Sequence, residues 1–328
     1  MSRAIIGLFS AALIGAAVLP SPSRADRKNE GEGRGVDSQI FWSLPGPSHF
    51  AGLASSDIMG HKETAFSLMF DYYRKSIGLE VDEATEWSVE NAFVADVMWA
   101  FGVADLFQLG VVLPVVLEQN GVGVEPIQPD GTEDADYMLS SSALRDIRLN
   151  VKARFLGGDA EIPDQRDLGV AFDFGLAVPS GDEMSFAGDG GVVLFPTIVL
   201  DFHRCMFSAT ANLGGRFRFD QDVSILNLDV GHQGVFGAGV TGHFLKRRLL
   251  LSGEVFGLVE LDGFDRVGVE YRGNIGYVPD EKRNITLWAG AGAGTGTGDL
   301  VGTPAVRVMV GLTYAPKPKD PSCCDYIY

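Results

Sequence analysis

The chain has 328 residues, of which 46% are hydrophobic and 42 are glycine, and its formal net charge is −17. A sequence pI of about 4.6 argues against a nucleic-acid partner, because binding to phosphates requires a basic face. The glycine content is well above the average of about 7% and favours tight turns and bent strands over long helices. Three cysteines are too few for a fold built on disulfides.

The chain begins with the three-part pattern of a secretory signal peptide. Arg3 precedes an apolar run over 5–19, and a small-x-small cleavage site follows at 23–25. An uncleaved membrane anchor is the alternative, but the apolar run is short and two prolines follow it. We predict a signal peptide over 1–25, cleaved after Ala25, and then a polar periplasmic leader over 26–61.

Beyond residue 25, the sequence lacks the roughly 18 consecutive uncharged apolar residues of a membrane-spanning helix. Alternation with a period of two dominates instead, which is the pattern of β-strands. In DIRLNVKARFLGG (146–158), Arg148, Asn150, Lys152 and Arg154 alternate with apolar residues. A soluble sheet would bury the apolar face, whereas a membrane barrel would turn it to lipid and the polar face to the lumen.

About twelve alternating segments follow one another. Nearly all of them reach the roughly 9–11 residues that a tilted strand needs to cross a membrane. Their approximate ranges are 66–73, 92–101, 108–118, 146–158, 167–178, 191–203, 206–219, 230–245, 249–262, 266–278, 284–297 and 304–314.

The links between these segments differ in length on the two sides. Most even-numbered segments are followed by short links, such as GVAD (102–105) and KRR (246–248), although 157–166 is longer. Odd-numbered segments are followed mostly by longer, acidic links, such as 80–88 and 119–143. Short turns on one rim and long loops on the other are typical of outer-membrane barrels.

We therefore predict an all-β fold, a transmembrane antiparallel up-and-down β-barrel of about twelve strands over 62–316, with a short periplasmic tail over 317–328. A closed barrel pairs every spanning backbone group within the protein. The expected location is a Gram-negative outer membrane. The expected partners are outer-membrane lipid, lipopolysaccharide, the barrel-assembly machinery, and small solutes or ions.

Three stretches carry a resemblance to a known family: GHKETAFSLMFDYYRKSIGL (60–79), ENAFVADVMWAFGVADLFQLGVVLPVVLEQNG (90–121) and AGAGAGTGTGDLVGTPAVRVMVGLTYAPKPKDP (289–321). Over roughly 49–316 the chain resembles the amino-terminal barrels of large OmpA-family outer-membrane proteins. This resemblance implies an outer-membrane location and a porin-like or structural barrel. Fuller members continue with calcium-binding repeats and a peptidoglycan-binding domain. Here SCCDYIY follows Pro321, so we do not extend the peptidoglycan role to this chain.

Charged residues on the inward faces are predicted to line the lumen. The basic ones are Arg148, Lys152, Arg154, Arg216, Arg218, Arg272 and Arg307. The acidic ones are Asp71, Glu90, Asp96, Glu118, Asp173, Asp201, Glu254, Glu260 and Glu270. Charges of both signs in a narrow interior tend to pair. The basic row on 146–158, facing acids on other strands, would also create a transverse electric field.

Two functional classes remain open at this stage. The first is a porin-like channel for small solutes or ions, or a structural envelope barrel that conducts little. Size does not separate these two, because twelve strands lie between filled eight-stranded and open sixteen-stranded barrels. The second class is a surface binding or adhesion barrel with little conductance that uses the acidic 119–143 loop.

No catalytic residue, cofactor or metal ligand is predicted, and the chain is not expected to be an enzyme. The five histidines show no HExxH spacing, and a pair such as His243 and Ser252 on adjacent strands is expected by chance. GAGAGTGTG (290–298) lacks the helix of a nucleotide loop and is interpreted as a tightly bent strand. DGTEDAD (130–136) lacks the bidentate Glu of a calcium loop and is interpreted as a solvated outer loop; weak divalent-cation contact beside anionic lipopolysaccharide is the alternative.

The cysteines allow two interpretations. Cys205 and the adjacent Cys323 and Cys324 fall on the same predicted rim, where the periplasm permits a disulfide. A chance end sequence without a disulfide is the alternative.

Overall fold

The computed structural model describes residues 36–81, 84–123, 139–157, 168–204, 206–219, 224–225, 228–261, 266–280, 284–297 and 302–316. Twelve long strands account for most of them. These strands are β1 (Thr64–Val81), β2 (Ala84–Val103), β3 (Phe107–Asn120), β4 (Ile147–Leu156), β5 (Leu168–Val178), β6 (Val193–His203), β7 (Phe207–Arg218), β8 (Gln233–Phe244), β9 (Leu249–Glu260), β10 (Val267–Tyr277), β11 (Ile285–Thr297) and β12 (Val306–Tyr314).

The strands close into a barrel. Each strand pairs antiparallel with the next along the chain, and β12 returns to pair with β1 from Phe66↔Tyr314 to Arg74↔Val306. A short strand, Ala143–Leu144, adds to β3. Closure leaves no sheet edge with unpaired backbone groups. The prediction of a twelve-stranded antiparallel barrel is confirmed.

Among the residues that the structure describes, no helix has the length and apolar character needed to cross a membrane.

The links between strands differ in length on the two rims, with one exception to the predicted pattern. The links over 104–106 and 245–248 are short, whereas 121–146 separates β3 from β4. The predicted link over 80–88 is wrong, because β1 and β2 remain paired as far as Val81↔Ala84. This hairpin therefore extends further than the alternation in its sequence indicated.

The outward face of the barrel is apolar and the inward face is polar. In β12, Val308, Val310 and Leu312 are 44–50% exposed, while the intervening Arg307 and Met309 are at most 1% exposed. The same arrangement holds in β4, where Arg148 is buried. Apolar side chains on the outside and charges on the inside are the reverse of a soluble sheet and fit a barrel surrounded by lipid.

The chain segment that precedes β1 fills the lumen. Residues 36–59, which we call the plug, run inside the barrel without regular secondary structure. Its Ile40, Phe41, Phe50 and Leu53 pack in one apolar cluster against inward-facing side chains of the wall. The expectation of a periplasmic leader over 26–61 does not hold for these residues, because burial of their apolar side chains in the lumen is favourable.

Replacing Val151 by Arg should prevent insertion, because a lipid-facing Arg costs about 2–4 kcal/mol near the bilayer midplane. Val151 lies opposite Leu109 and Phe174 on the neighbouring strands, so it belongs to the lipid-facing surface. Folding into lipid vesicles, followed by heat-dependent mobility on gels, measures the effect. Val151→Leu is the matched control and should fold as the wild type does. A wild-type folding yield for Val151→Arg would contradict the outward assignment.

Candidate functional site

The lumen holds most of the charged residues that the sequence analysis assigned to it. Thirteen of those sixteen are buried inside the barrel: Asp71, Asp96, Arg148, Lys152, Asp173, Asp201, Arg216, Arg218, Glu254, Glu260, Glu270, Arg272 and Arg307. Arg154 lies instead at the rim with the short turns, where its Nη2 is 3.4 Å from the carbonyl oxygen of Asp105. A role of these residues in solute passage stays a prediction.

Two further acids assigned to the lumen point away from it. Glu118 is exposed, because the register with β2 shifts at Leu117 and reverses the alternation beyond that point. Glu90 is half-exposed and lies 3.6 Å from Arg74. Such β-bulges change the facing of every later residue in a strand.

The buried charges are paired at short distance around the wall. Nε of Arg307 donates to Glu270 at 2.7 Å, and its Nη1 lies 3.6 Å from Asp71. Nη2 of Arg272 donates to Glu254 at 2.8 Å. Glu254 lies opposite Arg272 in the register of the adjacent strands β9 and β10, whereas the Arg307–Glu270 pair reaches across β11 from β12 to β10.

Arg148 is paired in the same way with an acid from a nearby strand. Its Nη2 donates to Asp96 at 3.2 Å, and Asp96 also accepts a hydrogen bond from the plug residue Ser43. Asp96 is one of the acids expected to face the basic row, and it contacts Arg148 directly; the transverse field itself stays a prediction.

The wall binds the backbone of the plug with its charged side chains. The amide nitrogens of Ala51 and Gly52 donate to Glu254 at 2.8 and 3.0 Å. Lys152 donates to the carbonyl oxygens of Ser55 and Asp57 at 3.0 and 3.1 Å. A buried segment without regular structure needs such partners for its backbone groups, and the charged wall supplies them.

Two arginines on β7 contact the first part of the plug and the long-loop rim. Arg216 donates to the carbonyl oxygens of Ile40 and Gln39 at 2.5 and 3.3 Å. Arg218 pairs with Asp189, which lies in the long β5–β6 link, at 3.0 Å. The long-loop rim and the plug are thus attached to the same strand.

Two adjacent aromatic residues of the plug lie against pairs of arginines. The guanidinium carbon of Arg216 lies 3.8 Å from the ring centroid of Trp42, and that of Arg148 lies 5.4 Å away. Phe41 has Arg272 at 4.5 Å and Arg307 at 5.3 Å. These distances fall within the range of cation–π contacts, so four wall arginines contact this dipeptide.

The plug begins with an ion pair at the long-loop rim. Both carboxylate oxygens of Asp37 accept hydrogen bonds from Arg145, at 2.6 and 2.7 Å, and one also accepts from the indole nitrogen of Trp42 at 3.0 Å. Burial acts to lower the pKa of Arg145, but the carboxylates of Asp37 and Asp96 outweigh it and raise that pKa above its usual value. Arg145 therefore stays charged at any physiological pH.

The plug fits closely against the wall. A side chain at Gly52 would overlap the guanidinium of Arg272, and one at Gly46, where φ is +109°, would overlap the amide of Gln108. The cavity beside Ser43 and Phe50 measures about 30 Å³, which is room for about one or two water molecules. The described part of the plug therefore leaves little free space beside these residues.

The sequence analysis missed the residues of the plug and its rim anchors, above all Asp37, Phe41, Trp42 and Arg145. A signal was present, because Ile40-Phe41-Trp42 is a strongly apolar triplet in a segment assigned to solvent. The mixed spacing of the segment gave no helical or strand period, so the triplet was not recognised as buried.

Other features interpreted from the sequence have these positions. Ser252 bonds to Glu254 and Asn274, whereas His243 bonds to Ser208, so the hypothetical His243–Ser252 pair does not form. The residues of 290–297 lie in β11, as interpreted. The DGTEDAD stretch and the three cysteines lie outside the described residues.

Comparisons with known proteins agree with the barrel fold. No protein-family profile and no curated protein sequence matches the chain. The structure is similar to an outer membrane channel from Pseudomonas putida F1, with a TM-score of 0.54 and 12% identity over 81% of this chain and 99% of that one. The NanC porin (TM-score 0.49, 10% identity, 76% and 98% covered) also matches. At these identities the likeness shows the fold alone.

Replacing Gly52 by Val should displace the plug, because the new side chain overlaps Arg272 and Phe41. We expect proteolytic cleavage of the 36–59 region in the folded, detergent-solubilised protein to become many times faster. Gly273→Val is the matched control, since nothing lies within 4 Å of a Cβ at that outward position. Equal cleavage rates for the two variants would contradict the close packing of the plug.

Proposed function

We propose that this protein is an outer-membrane channel for small solutes or ions whose lumen is closed by its own plug. One observation carries the proposal: residues 36–59 fill the lumen and are held there by hydrogen bonds and ion pairs. Charged and polar contacts of this kind can be exchanged for water when the plug leaves. The fold shared with a P. putida outer membrane channel supports the same function.

The nature of the plug–wall contacts favours a channel over a purely structural barrel. Buried ion pairs are often no more stabilising than well-packed apolar residues of similar size. A barrel that serves only as a scaffold would gain nothing from so many charges in its centre. If the plug fills the lumen in the closed state and water fills it in the open state, the wall needs polar side chains in both states.

The adhesion alternative, which uses the acidic 119–143 loop, is untested because most of that loop lies outside the described residues. Catalysis is not part of the proposal, which rests on the fold shared with a channel. Membership of the OmpA family remains an inference from the three sequence stretches. Signal cleavage after Ala25 is proposed from the pattern of the first 25 residues. The outer-membrane location and the contact with lipopolysaccharide and the assembly machinery are proposed from the barrel pattern and the family resemblance.

A reversible disulfide between plug and wall tests the channel directly. The Cβ of Pro45 lies 3.3 Å from the position that a Cβ would take at Gly110 on β3, close to the roughly 3.5–4.5 Å of a disulfide. We expect the double variant Pro45→Cys/Gly110→Cys, with native cysteines changed to Ser, to show no planar-bilayer conductance when oxidised. Reduction should restore the openings seen for the Pro45→Cys single variant.

Two results would contradict the proposal. Conductance that is the same in the oxidised and reduced double variant would show that the plug does not control passage. A barrel that is correctly folded but silent in every redox state and at every voltage would instead indicate a structural role.

A further inference from the structure

Three of the five histidines of the chain meet inside the rim with the short turns. His49 belongs to the plug, His203 ends β6, and His243 lies in β8. The ring centroid of His49 is 4.8 Å from that of His203 and 5.3 Å from that of His243. The plug thus brings one imidazole into contact with two from the wall.

A carboxylate completes this group of metal-binding side chains. Oδ2 of Asp57, also in the plug, lies 3.5 Å from Nε2 of His49. Candidate ligand atoms of His49, Asp57 and His203 all lie within 4.8 Å of one another. Two ligands at 2.0–2.1 Å from a tetrahedral zinc ion are about 3.4 Å apart, so one pair is already at ligation distance and the third needs a small side-chain shift.

The wall also holds the His203 ring in a fixed orientation. Its Nδ1 bonds to the hydroxyl of Ser208 at 2.9 Å, and that hydroxyl bonds to Nε2 of His243 at 2.8 Å. Nε2 of His203 is the nitrogen left for a metal ion, and its 3.1 Å contact with Asp201 would be exchanged for the ion. A hydrogen bond on the second ring nitrogen, as Ser208 provides here, is the usual support of a histidine ligand.

These side chains form a candidate metal site at the rim with the short turns. We propose that His49, Asp57 and His203 bind one divalent transition-metal ion of the zinc type. Two nitrogen donors and one oxygen donor suit Zn²⁺ and not Mg²⁺ or Ca²⁺, which prefer oxygen-only sites. The side chains of the three ligands are 20%, 37% and 21% exposed, so an ion can enter from the solvent at this rim.

Bound metal would join the plug to the wall. Two of the ligands come from the plug and one from β6, and Lys152 already bonds to the backbone carbonyl of Asp57. The ion therefore adds a cross-link that the apo protein lacks. This site stands whether or not the barrel conducts, because it rests on the positions of the ligands alone.

A hydrolytic triad is the competing interpretation of Ser208, His203 and Asp201. The serine is only 1% exposed, and its hydroxyl is shared between two imidazoles, so a substrate could not reach it. The same hydroxyl is well placed to orient a metal ligand.

Titration of the folded, detergent-solubilised full chain with Zn²⁺ tests the proposal, after removal of metal by a chelator. We expect one Zn²⁺ per chain and a higher unfolding temperature when Zn²⁺ is present. His49→Asn and Asp57→Asn should each weaken binding at least tenfold and abolish the thermal shift. His232→Asn, which changes a histidine at the opposite rim, is the matched control and should behave as the wild type does.

The following outcomes distinguish a specific metal site from incidental binding. The titration is repeated with all three cysteines changed to Ser, and the stoichiometry should not change. Folded wild type that binds no Zn²⁺, or binding that survives both His49→Asn and Asp57→Asn, would overturn the proposal. Heat-dependent gel mobility confirms that each variant is folded, so a loss of binding cannot be attributed to misfolding.

Discussion

The structure depends on one constraint: a charged side chain inside a closed barrel must find a partner. A barrel of twelve strands pairs its own backbone completely, but its inward face carries a buried charge on almost every strand. Leaving one member of a buried pair without its partner costs about 3–5 kcal/mol. The wall meets this requirement partly by pairing across neighbouring strands, as Arg272 does with Glu254, and partly through the plug.

The plug supplies hydrogen-bond and cation–π partners to the wall, just as the wall supplies partners to the plug. Glu254 accepts the amides of Ala51 and Gly52 as well as the guanidinium of Arg272. Arg216 has its plug contacts through backbone carbonyls and the face of Trp42. In the proposed open state these wall groups would be hydrated instead. Under that proposal, the polar contacts that hold the plug are also ones that water can replace.

The sequence predicts the barrel well and the plug poorly, for physical reasons that particular residues make clear. In β4 the strict alternation of Arg148, Asn150 and Lys152 with apolar neighbours reports the two faces directly, because a strand has a period of two. The plug has no period, since each of its residues is held by a different wall side chain. Glu118 was misassigned because a bulge at Leu117 reverses the alternation. The identity of Leu117 gives no indication that a bulge occurs there.

The histidine site shows the limit of motif reasoning in another way. His49 precedes β1 and His203 ends β6, so six of the twelve long strands lie between them in the sequence, and their spacing carries no metal signature. Only the return of the plug through the lumen brings them together. Lumen residues of a barrel are neighbours through closure, which the sequence does not encode locally.

Hydrogen–deuterium exchange of the folded barrel in detergent tests the central claim, that residues 36–59 lie inside the wall. The amides of Ala51 and Gly52 donate to the buried Glu254, and that of Ala54 donates to the partly buried Asn212. Peptides that cover the plug should therefore exchange as slowly as peptides from the strands. Exchange of those peptides at the rate of an unstructured chain, while the strands stay protected, would contradict the account.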